Sequence, residues 1–213
     1  MADPFGKYDV YAVAGSIYCY PDSSVLRNKL NLRDADLLRR VEADLSGVRQ
    51  TEIFYSPVAG RFTATHLCRI HRKLFGDIYP FAGHFRREDI AKGSTRFLAY
   101  FQIKEKLQTL LNELKRERWL TDLSEKTFLK RSAYYMAELN YIHPFREGNG
   151  RAIREFMRLL FLRNGYVVRW ESVSAEELLN AMIDSVYDTS GLEHVLKECL
   201  MKNPVSHSGP PVR

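Results

Sequence analysis

Between residues 143 and 154 the chain reads HPFREGNGRAIR, placing a histidine, a glutamate, an asparagine flanked by glycines and three arginines within one short stretch. Pro144 disfavours the α region at His143, so the preceding helix must end there and leave the imidazole at the mouth of a loop. Gly148, Asn149 and Gly150 permit tight or left-handed backbone directly ahead of a helical segment. Successive N–H groups can converge there and add to the positive end of the helix dipole, which makes an anion cradle. Arg151 and Arg154 are three apart in the first turn, so both can project along one side toward the same anion, a pattern suited to a polyphosphate. Glu147 beside so positive a site is accounted for by a divalent cation, magnesium shared with phosphate oxygens. Histidine titrates near neutral pH and can serve as general base toward an incoming hydroxyl. The residue types therefore indicate magnesium-assisted phosphoryl or nucleotidyl transfer from a nucleotide, and they leave those two open.

Each feature alone has a plainer reading, as a helix stop, a turn or a solvated helix face. Their conjunction is what carries the chemistry. The stretch is not a Walker A loop, which needs Gly-x-x-x-x-Gly-Lys-Ser/Thr after a strand. Nor is it a zinc site, since no second histidine stands at ligand spacing from His143 and Glu147.

The elements that must position this stretch read as helices around one hairpin. Residues 1–21 form an irregular arm. Residues 23–49 turn helical, with Asp34 or Asp36 as cap and Leu37, Leu38, Val41 and Leu45 on one inward face. A second helix, within residues 63–83, turns Leu67, Ile70, Leu74 and Phe75 inward and stops near Tyr79 at Pro80. His66 and His71 on it share no metal-binding face with Cys68 and are structural or exposed. Residues 86–99 break the helical pattern and read as a hairpin turning at Lys92-Gly93-Ser94. Helical spacing resumes with Ile103, Leu107, Leu110, Leu111 and Leu114 inward, then with Ser124 capping a helix that buries Phe128, Met136, Leu139 and Ile142. A very apolar helix follows the loop and closes at Asn164-Gly165. Two more helices fall at about 174–187 and 190–201, and residues 203–213 form a disordered tail or linker. The fold class is mainly α, a helical bundle with a small β-hairpin, as one domain over residues 1–202.

With 213 residues, 45% hydrophobic and 12% aromatic, the chain supports one sizeable core. No apolar run approaches the roughly 18 residues of a membrane span, and no secretory pattern opens the chain. A cytoplasmic location is expected, or translocation into a host cell for an effector. Three widely separated cysteines imply reduced thiols. The net charge of +6 is scattered. The basic groups at Arg86/Arg87 and at Lys115, Arg116 and Arg118 match no nucleic-acid motif, which argues against direct nucleic-acid binding.

Residues 143–154 match every fixed position of His-Pro-Phe-x-Asp/Glu-Gly-Asn-Gly-Arg-x-x-Arg, and the chain resembles the Fic family on that signature. YPDSSVLRNKL resembles the family's leading segment and YPFAGHFRREDIAKGST its approach to a flap hairpin, with Phe81 where many relatives carry tryptophan. The resemblance implies AMP transfer from ATP to a Tyr, Thr or Ser hydroxyl of a target protein. It implies His143 as base, Glu147 on magnesium and Gly148, Asn149 and Gly150 as the anion hole. Arg151 and Arg154 would lie on the outer phosphates, with Phe145 as buried loop anchor. The flap residues Ile90, Lys92, Gly93 and Thr95 would dock an extended target segment as an added strand. The adenine pocket is expected around Leu178 to Met182.

Many relatives block themselves with a helix bearing Ser/Thr-x-x-x-Glu-Gly/Asn. Here Thr121–Glu125, Ser172–Glu176 and Thr189–Glu193 are followed by Lys126, Glu177 and His194, so each fails at the last position. The resemblance then implies a toxin-like member controlled by a small antitoxin in trans, or an effector. Type II topoisomerase subunits and small GTPases are the implied target classes. A related transferase of phosphate, UMP or phosphocholine is the alternative reading, followed by a non-catalytic docking module. Intact Gly148 and Gly150 favour AMP because they leave room for the α phosphate.

Overall fold

Asp34 starts the first helix by accepting the Leu37 N–H at 2.7 Å, and α1 runs over Ala35–Tyr55. The computed structural model describes residues 15–92 and 95–203. Residues 1–14 of the expected arm, Gly93 at the expected turn and residues 204–213 of the expected tail lie outside them. The face that α1 buries differs from the apolar one expected. Leu38 is buried, but with Glu42, Ser46 and Ile53, while Leu37 is exposed and Val41 and Leu45 are half-buried. Two polar groups are turned inward because a guanidinium waits for them. Residues 23–33 are not helical.

Thr63 caps α2, Ala64–Phe75, by accepting the His66 N–H at 3.2 Å. Its inward residues are Leu67, Ile70, Leu74 and Phe75, as the spacing predicts, together with His66 and His71. The helix ends at Gly76, before Pro80 can act, and residues 77–83 pass through turns. Strands β1, Ala91–Lys92, and β2, Thr95–Arg96, pair antiparallel and make the expected hairpin a very short ribbon. Then come α3, Ile103–Arg116, α4, Glu125–Ile142, and α5, Asn149–Arg163. Ser124 caps α4 and Gly165, at φ +78°, follows the end of α5, both at the predicted places.

Helix α5 occupies the centre and packs against α2 and α4. Ala152, Ile153, Phe156, Met157, Leu160 and Phe161 on it are fully buried, and Arg151, Glu155 and Arg158 are buried with them. The C-terminal part holds β3, Tyr166–Val168, α6, Ala175–Asp184, α7, Ser190–Cys199, and β4, Leu200–Lys202. β3 and β4 form a second antiparallel ribbon that the sequence reading does not contain. Among the described residues no helix is long and apolar enough to cross a membrane. Cys19 and Cys199 are buried, Cys68 is half-buried, and all three are free thiols.

Candidate active site

His143 sits where α4 ends and takes left-handed backbone, φ 44° and ψ 63°, outside the right-handed helical region that Pro144 disfavours. Its Nδ1 donates to the Asn140 carbonyl at 3.0 Å, which orients the ring. The side chain is nearly buried and lines a cleft that also receives Glu147, Gly148, Gly150 and Arg154. An imidazole anchored at Nδ1 thus borders the same cleft as the glycine-rich loop, a carboxylate and a guanidinium.

The loop between α4 and α5 is held by its own residues. Phe145 is fully buried and stacks on His71 at 3.8 Å between ring centroids. Asn149 closes a ring with Phe145: its Oδ1 accepts the Phe145 N–H and its Nδ2 donates to the Phe145 carbonyl, each at 2.8 Å. The Asn149 side chain therefore shapes the loop, and its backbone is what remains for an anion. Gly148 is the N-cap of α5 at φ +76°, and a Cβ there would lie 2.3 Å from the Phe75 ring. No other residue satisfies both the backbone and the space. The first intrahelical bond of α5 runs from the Ala152 N–H to the Gly148 carbonyl at 3.1 Å, so the amides of Asn149 and Gly150 precede the helix's own bonding at its positive end.

Arg151 and Arg154 both line the cleft, though their settings differ. The Arg151 guanidinium is buried, bonded to Ser46 Oγ at 2.7 Å and to the Glu42 carboxylate, and it lies over the Phe75 ring at 4.6 Å. Glu42 also accepts from the Tyr79 hydroxyl, whose burial pushes its pKa well above the usual value. A polar α1 face thus pins this arginine, 4.0 Å from Glu147 Oε1. Arg154 is half-buried, with Nη1 3.2 Å from where a Cβ on Gly150 would stand. Glu147 is buried and its Oε1 accepts the Gly148 N–H at 2.7 Å. Among the described residues no three His, Cys, Asp or Glu side chains gather to hold a metal. A single carboxylate sharing an ion with phosphate oxygens suits magnesium and not a closed protein cage.

His71 has a part in the site that its sequence context does not signal. Its Nε2 donates to the Glu147 carbonyl at 2.8 Å and its Nδ1 accepts the Gly83 N–H at 2.9 Å. Complete burial pushes its pKa down to about 3, so it stays neutral and bridges the loop to the turn after α2. His66 is buried likewise, with Nε2 donating to the Val58 carbonyl at 2.7 Å. Arg86, assigned to a basic surface cluster from sequence, is instead fully buried, because its guanidinium serves backbone carbonyls. Nothing but spatial proximity reveals Glu42, Ser46, His71 and Arg86.

The ribbon stands at the mouth of the cleft, where Lys92 joins the lining. Thr95 pairs with Lys92 and is half-buried. Ile90 does not present a docking side chain: it is buried, and its carbonyl accepts the Phe97 N–H at 3.4 Å. Leu178, Leu179 and Met182 of α6, the stretch expected to meet the adenine, also line the cleft.

The Fic/DOC family model matches residues 61–161. Protein adenylyltransferase VbhT of Bartonella schoenbuchensis is 39% identical over 186 residues, 87% of this chain and 39% of that protein. The probable protein adenylyltransferase Fic of Salmonella typhimurium is 32% identical over 201 residues, 94% of this chain and 96% of that one. Among solved structures, the N-terminal Fic domain of a cell filamentation protein from Bartonella quintana, a VirB-translocated effector with bound ADP, superposes with a TM-score of 0.81. It is 24% identical and covers 88% of this chain and 95% of its own. BepC of Bartonella tribocorum, with bound AMPPNP, gives 0.79 at 25% identity, over 87% and 97%.

Proposed function

Because the chain belongs to the Fic/DOC family, we propose that it transfers AMP from ATP to a Tyr, Thr or Ser hydroxyl of another protein, with release of pyrophosphate. The observation that carries this reading is the single cleft that gathers His143, Glu147, Gly148, Gly150 and Arg154, where the imidazole, oriented through Nδ1 on the Asn140 carbonyl, would take the target's proton at Nε2. The target oxygen attacks the α phosphorus as its proton passes to Nε2. The bond from the α phosphorus to the bridging oxygen breaks, and its electrons leave with pyrophosphate. The imidazolium then returns the proton to solvent. The amides of Asn149 and Gly150 at the α5 N-terminus receive the negative charge that grows on the α phosphate. Arg154 and the pinned Arg151 hold the outer phosphates, and Leu178, Leu179 and Met182 flank the adenine. Glu147 would hold magnesium, which when bound supplies neutralisation of phosphate charge.

The ribbon docks an extended segment of the target as an added strand, with Lys92 and Thr95 at the contact. The three stretches named above lack the complete inhibitory sequence, which supports reading the chain as a toxin controlled in trans by a small antitoxin, or as a secreted effector. Topoisomerase subunits and small GTPases are the target classes to try first.

The test compares label transfer from α-labelled and γ-labelled ATP, with magnesium and a bacterial or eukaryotic lysate, for the wild type and His143→Ala. Label on protein from the α position alone, absent in the variant, is the expected result. Label from the γ position would replace AMP transfer with phosphate transfer, and no label in either lysate would reject the reading.

A further inference from the structure

Phe97, directly after β2, lies parallel to the catalytic imidazole: the ring centroids of Phe97 and His143 are 3.7 Å apart and the planes differ by 15°. This contact joins the ribbon to the base, and neither signature nor fold assigns it a purpose. Its placement is fixed from both sides. The Phe97 N–H closes the ribbon on the Ile90 carbonyl, and the next residue, Leu98, donates its N–H to the Tyr141 carbonyl at 3.1 Å. The Leu98 carbonyl accepts from Arg86 Nη2.

Arg86 is the root of the arrangement. Its Nε donates to the His143 carbonyl and its Nη1 to the Glu88 carbonyl, both at 2.8 Å, while Nη2 also reaches the Ile142 carbonyl at 3.3 Å. Its backbone N–H donates to the Pro144 carbonyl at 2.9 Å. One buried cation therefore joins the approach to β1, the exit from β2 and the end of α4, and it neutralises the negative end of that helix. A planar fork of donors can serve several carbonyls at once; an ammonium of the same charge cannot match that geometry.

We propose that Phe97 is a positioning residue for His143, laid on the base by the ribbon and held there through Arg86. The proposal rests on His143 being the base in the function proposed above. The bond at Nδ1 holds one corner of the imidazole. A ring stacked on its face sets the plane of the imidazole and confines the target hydroxyl to its edge. When the ring accepts the target proton, the imidazolium forms against the negative face of the phenyl group, a favourable cation–π arrangement. A strand added to the ribbon is thereby registered against the base by the element that also orients the base.

The test uses Phe97→Leu, Phe97→Tyr and Arg86→Lys in the full chain. The readouts are the labelled imidazole resonances of His143, affinity for magnesium–AMPPNP by calorimetry, and label transfer from α-labelled ATP to lysate proteins. Phe97→Leu should lose the upfield ring-current displacement, keep AMPPNP affinity within about twofold, and transfer about a hundredfold more slowly, as a misplaced reacting group does. Phe97→Tyr should restore both the displacement and the transfer, and Arg86→Lys should lose both. Unchanged transfer in Phe97→Leu would overturn the proposal, as would a Tyr variant as poor as Leu, or transfer lost together with AMPPNP affinity. If Arg86→Lys does not fold, the two Phe97 variants decide alone. Wild-type protein that labels nothing rejects the proposed function, and the His143 resonance then decides for or against the stack separately.

Discussion

The loop of residues 143–151 and the ribbon β1–β2 border the same cleft, yet they are built on different principles. The loop is gripped from below by His71, internally by Asn149 on Phe145, and at its end by Glu42 and Ser46 on Arg151. The ribbon has two residues in each strand and one closing bond beyond them, and its firmness lies at its root, where Arg86 binds. Phosphate and base must be placed to within a fraction of an ångström for a transfer to proceed. A strand edge that meets another protein's backbone needs direction and register more than rigidity. The contrast is between a loop held along its length and a ribbon held at its root.

The comparison can be broken most directly at Glu42. Glu42→Ala leaves the buried Arg151 guanidinium without its carboxylate, and urea unfolding should show a loss of about 3–5 kcal/mol. A loss under 1 kcal/mol would mean that the loop does not depend on the α1 clamp. Acid comes next. His71 binds a proton in the unfolded chain below about pH 6.5 and in the folded one only near 3, so the unfolded state takes up more protons in that window. Stability of the nucleotide-free protein should fall by several kcal/mol as pH drops from about 6.5 toward 3, and His71→Gln should flatten that slope. An equal slope in the variant would assign the acid sensitivity elsewhere.

Arg154→Ala tests the phosphate side alone: calorimetry should give an affinity for magnesium–AMPPNP reduced about tenfold to a hundredfold, with unfolding changed little. Equal affinity would remove this arginine from the outer phosphates. The smallest change is expected on the ribbon. Lys92→Ala should alter stability by less than about 0.5 kcal/mol while raising KM for protein targets and leaving AMPPNP affinity intact. A variant that lost stability instead would mean that the ribbon is as tightly built as the loop.

The two regions also differed in how far the sequence disclosed them. The signature from His143 to Arg154 is local, so its loop geometry, the helix stop and the cap at Gly148 follow from neighbouring residue types. Apolar spacing likewise places the inward faces of α2, α3 and α4, because burial repeats along those helices with a regular period. The same rule misread α1: Glu42 and Ser46 count as outward residues until Arg151, over a hundred positions later, is known to lie against them. His71 and Arg86 bind backbone atoms of distant segments, which no composition or period announces. The β3–β4 ribbon pairs residues 166–168 with 200–202, a long-range contact between short segments that carry no strand signal of their own.

That second ribbon sets a geometry for anything attached to the chain. β4 returns to β3, and the Asn203 N–H donates to the Gly165 carbonyl just past the end of α5. The cleft lies at the other end of that 15-residue helix. At about 1.5 Å of rise per residue the separation is about 22 Å. A tag, surface linkage or fused partner joined after residue 203 therefore starts from the pole remote from the cleft. Immobilising the protein by that end leaves the cleft and the β1–β2 ribbon beside it facing away from the support.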